Sequence, residues 1–255
     1  MPVPETGDAR MPESKEQDVS NRVSRRRALG LLGAASAAWT GACSGDTPTS
    51  ATTTTTTTTA AATPGAGGTN AVCAVSPSET LGPFPNLGDF VRTDVREDRQ
   101  GLPLQLTISV VNVNQACAAV SGAAVEIWQC DVAGDYSQYG NAQSATFLRG
   151  LQTTDSAGRA AFTTIYPGWY QGRATHIHVD VSVNGRSVKV TQIAFPEEVT
   201  AAVYRSGVYA SRGQNTTSNA RDGIFSDSLA QQLITITGGD PASGYTGTFQ
   251  VGVAI

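Results

Sequence analysis

The sequence predicts an all-β fold over residues 71–255, arranged as an antiparallel β-sandwich with long loops and one or two short helices. Two observations lead to this prediction. The segment contains many short runs of β-branched and aromatic residues at fairly even spacing, and turn-forming pairs such as Ser121-Gly122 separate them. Helical periodicity is scarce, so helices contribute little to the predicted fold.

The elements follow one another along the chain as short alternating runs. The predicted strands are 104–113, 123–130, 158–165, 176–183, 187–195, 233–237 and 247–253. In the first strand, apolar residues alternate with polar ones from Leu104 onward, which places the apolar set on one face. The pair Asn184-Gly185 predicts a tight hairpin in which both turn residues have positive φ. Short helices are predicted within 196–206 and 225–233.

The first 43 residues have the layout of an export signal. An arginine cluster, Arg25 to Arg27, precedes an apolar run that is too short to span a membrane. Residues 24–29 resemble a twin-arginine signal, with ordinary secretion as the alternative. Residues 40–43 resemble a lipobox, which would place a lipid anchor on Cys43 at the cell surface. The alternative is a freely secreted, extracellular protein cut near Ala42.

The segment 44–70 is rich in Thr, Ala, Pro and Gly, and we expect it to be a disordered linker with no chemistry of its own. The domain that follows carries 11 basic and 15 acidic residues, a net charge of −4. Because it has no basic stripe, a nucleic-acid partner is not expected.

Three cysteines remain after export, and outside the cell a disulfide is expected among them. Cys117 and Cys130 bracket one predicted strand, which would hold them about 25 to 40 Å apart at ~3.3 Å per residue. The favoured pair is therefore Cys73–Cys117, with Cys130 buried and free.

The whole chain contains two histidines, His176 and His178, and they lie two residues apart on a predicted strand. Residues at i and i+2 share a strand face, so both imidazoles can reach one point, as in a metal site. A blue-copper site and a three-histidine zinc site are excluded by composition. A two-histidine-one-carboxylate Fe(II) site with Asp180 remains open, although three such ligands span about 13 Å of strand.

Tyrosine supplies the other candidate ligands. Tyr136 and Tyr139 lie in one glycine-rich loop, and Tyr166 and Tyr170 lie in another. A phenol with a pKa near 10 binds as phenolate only to a strongly acidic ion such as Fe(III). The alternative is that these tyrosines only anchor loops.

Four motifs in order resemble the intradiol ring-cleavage dioxygenases, the catechol and protocatechuate 3,4-dioxygenase group. They are SPSETLGPF, WQCDVAGDYSQY, YPGWYQGRATHIHVDV and VTQIAF. The resemblance covers Cys73 to Phe195 well and the last sixty or so residues loosely. It implies a transthyretin-like sandwich and a mononuclear Fe(III) cofactor. Phe84 departs from the family, which commonly has Tyr there, as do Ala174 and Thr175, where Pro-Ala is common.

The resemblance also assigns roles to residues. The implied iron ligands are Tyr136, Tyr170, His176 and His178, and the implied catalytic residues are Tyr170, Arg173 and Gln192. The implied substrates are a catechol-type aromatic and O2, and the implied reaction opens the bond between the two hydroxyl-bearing carbons to give a cis,cis-muconate-type product. Two alternatives remain: the Fe(II) enzyme with Asp180, and a catalytically inactive surface lipoprotein that uses the sandwich for binding. The oligomeric state is not predicted.

Overall fold

A computed structural model describes residues 73–255. The predicted signal segment 1–43, with its lipobox, and the predicted linker 44–70 lie outside the described residues. The strands are β1 Pro103–Asn112, β2 Ala118–Ala119, β3 Ala124–Trp128, β4 Arg149–Thr153, β5 Arg159–Ile165, β6 His176–Val183, β7 Arg186–Ala194, β8 Thr235–Asp240 and β9 Gly244–Val253. The α-helices are α1 Glu197–Val203 and α2 Leu229–Gln232.

The strands form two sheets. One sheet has the order β2-β1-β9-β8, with β5 paired to the same edge of β1 as β2. The other has the order β4-β3-β6-β7 and is antiparallel throughout. The prediction of an antiparallel sandwich is wrong at one place, because β1 and β9 pair in parallel, from Leu104↔Tyr245 to Asn112↔Val253.

The alternation seen in the sequence gives each sheet an apolar inner face. Leu104, Leu106 and Ile108 of β1 are fully buried or nearly so, and they belong to the same core cluster as Ile177 and Val179 of β6. Since successive side chains of a strand point to opposite faces, His176 and His178 must lie on the outer face of the second sheet. The core therefore fixes which way the histidines point.

The predicted strands agree with β1, β3 and β5–β9 to within three residues at each end. The two short helices fall inside their predicted windows. The hairpin between β6 and β7 has φ values of 52° at Asn184 and 73° at Gly185, as predicted. Strands β2 and β4 were not indicated by the sequence pattern. Within residues 73–255, no helix is long and apolar enough to cross a membrane.

A disulfide joins Cys73 to Cys117, and Cys130 is free and buried, which confirms the predicted pairing.

The segment after Cys73 runs across the second sheet toward the histidines. Its backbone bonds to β7 where the Glu79 N–H donates to the Val190 carbonyl at 2.9 Å. This segment, residues 79–86, is called the strap below.

Candidate metal centre

A row of four side chains crosses the outer face of the second sheet in register. Arg149 of β4 pairs with Trp128 of β3, Trp128 with His178 of β6, and His178 with Gln192 of β7. All four are fully buried. The Trp128 and His178 rings stack with centroids 4.8 Å apart and an interplanar angle of 2°. Strand register and the stacked Trp128 ring therefore fix the position of the His178 imidazole.

His176 is the first residue of β6, two positions before His178 on the same face of the sheet. Its Nε2 is 3.2 Å from His178 Nε2. Its Nδ1 donates to the Ala174 carbonyl at 2.6 Å, so Nε2 keeps its lone pair. Burial, with help from the nearby Arg173 charge, lowers the pKa of His176 to about 3. Burial also lowers the pKa of His178 well below its usual value, and the His176 ring adds to this. Both imidazoles are therefore neutral at physiological pH, the form that ligates metals.

Tyr136 reaches the same point from the loop after β3. Its hydroxyl is 3.3 Å from His176 Nε2, and the side chain is almost completely buried. Asp131 shapes this loop, because its Oδ1 accepts the N–H groups of Ala133 and Asp135. Burial raises the pKa of Tyr136 well above its usual value. A protein-only environment thus keeps the phenol protonated, and a cation is needed to stabilise its phenolate.

Tyr170 closes the cluster from the loop before β6. Its ring centroid is 5.8 Å from that of Tyr136 and 5.5 Å from that of His176. The Arg173 guanidinium donates to its hydroxyl at 3.3 Å. Burial raises the pKa of Tyr170, and Arg173 opposes this shift. Unlike Tyr136, this ring is only partly buried, so it stands at the open side of the cluster.

The other two loop tyrosines anchor structure elsewhere. Tyr139 donates its hydroxyl to the Pro85 carbonyl at 2.8 Å. Tyr166 is fully buried in the core, and its hydroxyl bonds to that of Thr200. The structure therefore brings one tyrosine from each loop to the histidines.

Arg173 and Gln192 sit together beside the cluster. Arg173 donates to Gln192 Oε1 at 2.6 Å and to Asp222 Oδ2 at 2.8 Å. All six residues named from the sequence as ligands or catalytic groups thus occupy one place, while their roles stay predictions.

The strap packs directly against the cluster through Gly82 and Phe84. A Cβ built on Gly82, which has φ +71°, would lie 2.8 Å from His178 Cε1. The next aromatic, Phe84, stacks on Tyr136 with centroids 4.6 Å apart and meets Tyr170 edge-on at 5.9 Å. Glycine at position 82 is what allows the strap to approach the imidazole this closely.

Asp180 takes no part in this cluster. It lies in the next register row, opposite Glu126, and accepts the Ser187 hydroxyl at 2.6 Å. Among residues 73–255, no three His, Cys, Asp or Glu side chains lie close enough together to hold a metal ion. The geometry therefore gives no support to the Fe(II) alternative.

Comparison with known proteins places the chain in a family. The family model for "Dioxygenase" matches residues 84–219, more than half of the chain. The chain belongs to the intradiol ring-cleavage dioxygenase family. An intradiol ring-cleavage dioxygenase from Tetranychus urticae is 29% identical with a TM-score of 0.67, covering 71% of this chain and 95% of that one. The dioxygenase domain of a carbohydrate-binding fusion from Streptomyces sp. SirexAA-E is 28% identical with a TM-score of 0.55, covering 71% and 99%.

Among curated proteins, the catechol 1,2-dioxygenase of Candida albicans is 32% identical over 154 residues. The match covers 46% of each chain, so this chain spans about half the length of that relative. The family match begins at Phe84 and ends at Asn219, so it contains the four tyrosine and histidine side chains described above.

The donor set suits the ferric ion that the dioxygenase family implies. The two imidazole Nε2 atoms lie 3.2 Å apart, so one ion can contact both of them when each presents its lone pair. Two phenols stand beside them, and anionic oxygen donors favour the higher charge of Fe(III) over Fe(II). The residues present therefore fit the ion.

Arg149 is a part of this dioxygenase site that the sequence did not reveal. Its guanidinium donates to the Ser137 hydroxyl and carbonyl at 2.9 and 2.6 Å, to the Phe84 carbonyl at 3.1 Å and to Asn86 Oδ1 at 2.7 Å. It thereby ties β4 to the strap and to the loop that carries Tyr136. Burial lowers its pKa to about 10, so it remains a cation.

Asp222 is the second residue that sequence reasoning missed. It is fully buried and lies 49 residues from Arg173 in the chain. An Asp-Gly pair in a loop, as at Asp222-Gly223, gives only a general turn signal. No local pattern connects it with the histidines.

Proposed function

We propose that this chain is a non-haem Fe(III) dioxygenase that opens catechol-type aromatics between the two hydroxyl-bearing carbons. Both atoms of O2 enter the product, a cis,cis-muconate-type dicarboxylate. The observation that carries the proposal is the meeting of Tyr136, Tyr170, His176 and His178 in one cluster, three of them buried and Tyr170 partly buried. The proposal includes the transthyretin-like arrangement of the sandwich that the family resemblance implies.

The four ligands would be the two imidazole Nε2 atoms and the two phenolate oxygens. The bound ferric ion would supply Lewis acidity and a template that brings a catecholate and O2 together. The tautomer that the Ala174 carbonyl selects keeps His176 Nε2 free to bind.

Tyr170 is the residue best placed to take a proton from the substrate. It is the more exposed of the two phenols, and a phenolate away from a cation regains a high pKa. Arg173 holds its hydroxyl at 3.3 Å and so keeps the acceptor oriented when it is not a ligand. Catechol has two acidic protons to lose, and Tyr170 provides a site for one of them.

Arg173 also places fixed positive charge beside the ring on which negative charge develops. Its guanidinium is held by Gln192 at 2.6 Å, so it needs little reorganisation during the reaction. Gln192 itself is held by its register position opposite His178. Its role in the proposal is to orient Arg173.

The proposal is tested by iron analysis, a visible spectrum and O2 uptake with catechol. We expect about one iron per chain and a tyrosinate-to-ferric absorption band, and each of Tyr136→Phe and Tyr170→Phe should shift or weaken this band. Tyr139→Phe is the matched control, because Tyr139 contacts the same Phe84 ring but bonds to Pro85. Stoichiometric iron without this colour, or an unchanged spectrum in both ligand variants, would overturn the proposal.

The proposal also places the enzyme outside the cytoplasm, lipid-anchored through Cys43 or freely secreted. The pattern of residues 24–43 supports export, and the Cys73–Cys117 disulfide suits an oxidising compartment. Cell fractionation of the natural chain and of Cys43→Ser tests this. Release of the variant into the medium supports the anchor, and cytoplasmic protein in both cases contradicts export.

A further inference from the structure

Asp222 lies behind Arg173, out of contact with solvent. Its Oδ2 accepts Arg173 Nε at 2.8 Å and the Ala174 N–H at 2.6 Å. Its Oδ1 accepts the Ile224 N–H at 2.8 Å. One carboxylate therefore bonds to a guanidinium and to two backbone groups, an arrangement that leaves it little freedom to move.

These bonds reach the histidines through one residue. The N–H of Ala174 donates to Asp222, and the carbonyl of Ala174 accepts His176 Nδ1 at 2.6 Å. The same carboxylate thus fixes the guanidinium of Arg173 and the peptide group that orients the His176 ring. It does so at the point where β6 begins.

We propose that Asp222 is the positioning residue of this site, holding Arg173 and the start of β6 in place and matching the charge of Arg173. The inference rests on the proposed dioxygenase function. Asp222 does not touch the substrate in this proposal; it acts through Arg173 and through the Ala174 peptide group that orients His176.

The pairing of the Arg173 and Asp222 charges affects which substituents a bound catechol can carry. Two cations, Arg173 and Arg149, lie near the tyrosines and histidines of the cluster. Arg149 is fully buried, and four of its five N–H groups donate to oxygens of the strap and of Ser137. Arg173 is paired with Asp222. Because Asp222 offsets most of the charge of Arg173 and Arg149 is buried, a substituent carboxylate would gain little here, and the site suits catechols without an anionic substituent.

The experiment compares Asp222→Asn, Asp222→Glu, Arg173→Gln and the double variant Asp222→Asn/Arg173→Gln with the natural protein. Asp227→Asn is the matched control, because it removes an exposed acid five residues along the same segment. Each iron-loaded protein is assayed for O2 uptake with catechol and with 3,4-dihydroxybenzoate, giving kcat and KM separately. The visible spectrum reports whether the iron site is intact.

We expect Asp222→Asn to lower kcat/KM for catechol by about 10- to 100-fold, the usual effect of losing a partner that orients a catalytic group. Because Arg173 then has an unmatched charge, the preference should move toward 3,4-dihydroxybenzoate by about fivefold, the effect of one screened charge a few ångströms away. Asp222→Glu keeps the charge but displaces it, so kcat should fall while the preference stays. In the Arg173→Gln background, Asp222→Asn should cost less than it does alone, because only its bond to the Ala174 N–H is then left to lose.

Three results would overturn the inference. They are an Asp222→Asn variant with unchanged kinetics, equal losses for both substrates, and additive losses in the double variant. If Asp222→Asn does not fold, Asp222→Glu decides alone, and full activity in it contradicts positioning. If the natural protein takes up no O2 with any catechol, the proposed function itself is refuted. If the natural protein is active and Asp222→Asn is equally active, only the role of Asp222 is refuted.

Discussion

Replacing Gly82 by Ala tests how closely the strap must approach His178. A Cβ there would lie 2.8 Å from His178 Cε1 and 3.3 Å from Nε2. Carbon atoms in contact lie about 3.5 Å apart, so the imidazole or the strap must move by roughly 0.7 Å. The stacked Trp128 ring opposes a movement of the imidazole. The φ of +71° adds a backbone cost of about 1–2 kcal/mol for any L-residue.

Gly185→Ala separates these two effects. Gly185 has φ +73°, nearly the same as Gly82, and a Cβ on it would meet nothing within 4 Å. Gly185→Ala should lose about 1–2 kcal/mol of unfolding free energy in urea titrations, and Gly82→Ala should lose at least as much. Only Gly82→Ala should also lose iron, shift the visible band and lower kcat/KM for catechol by about tenfold, since a displacement of about 1 Å can cost 100-fold. If the two variants match in iron content, spectrum and kcat/KM, the close approach of the strap does not constrain His178.

Three further predictions concern stability and are read from urea unfolding. Arg149→Met leaves the carbonyls of Phe84 and Ser137 without their donor and should cost about 3 kcal/mol, and an effect below ~1 kcal/mol would contradict its role as a tie. Reducing the disulfide, whose cysteines are 44 residues apart, should cost about 4 kcal/mol; equal midpoints with and without reductant would contradict this. Burial raises the pKa of Glu126 to about 7, with Asp180 adding to the shift. The folded state therefore holds a proton that the unfolded state loses above about pH 4.5, so stability should fall by about 1–2 kcal/mol as pH rises to about 7. Glu126→Gln should remove this decrease in unfolding free energy. If the free energy of unfolding depends on pH in the same way in the variant and the natural protein, the assignment to Glu126 is refuted.

The sequence predicted the parts of the fold that repeat at short range. Strand β6 was predicted with the bounds that the structure has, because His176 to Val183 alternates without interruption. Strand β4 was missed because its five residues include Gly150, where a Cβ would lie 2.4 Å from Val95 Cγ1. The close packing that requires this glycine also removes the apolar side chain on which the alternation signal depends.

The residues of the site also divide into those with a local sequence signal and those without one. The two histidines were evident from their spacing, and Tyr136, Tyr170, Arg173 and Gln192 came from the family motifs. Asp222 and Arg149 were missed because their partners are distant in sequence: Asp222 lies 49 residues from Arg173, and Arg149 lies 65 residues from Phe84. Such pairings are set by strand register and loop packing, which a single sequence does not display.

The parallel pairing of β1 with β9 also sets how the domain reaches its native state. Leu104 lies beside Tyr245, so the first long strand finds its central neighbour about 140 residues later in the chain. Contacts between such distant residues carry a large loop-closure entropy and are slow to form. Until β9 arrives, β1 exposes an unpaired edge that can pair with another chain. Slow refolding, with aggregation that rises with protein concentration, is the expected kinetic behaviour, and stopped-flow refolding at several concentrations would measure it.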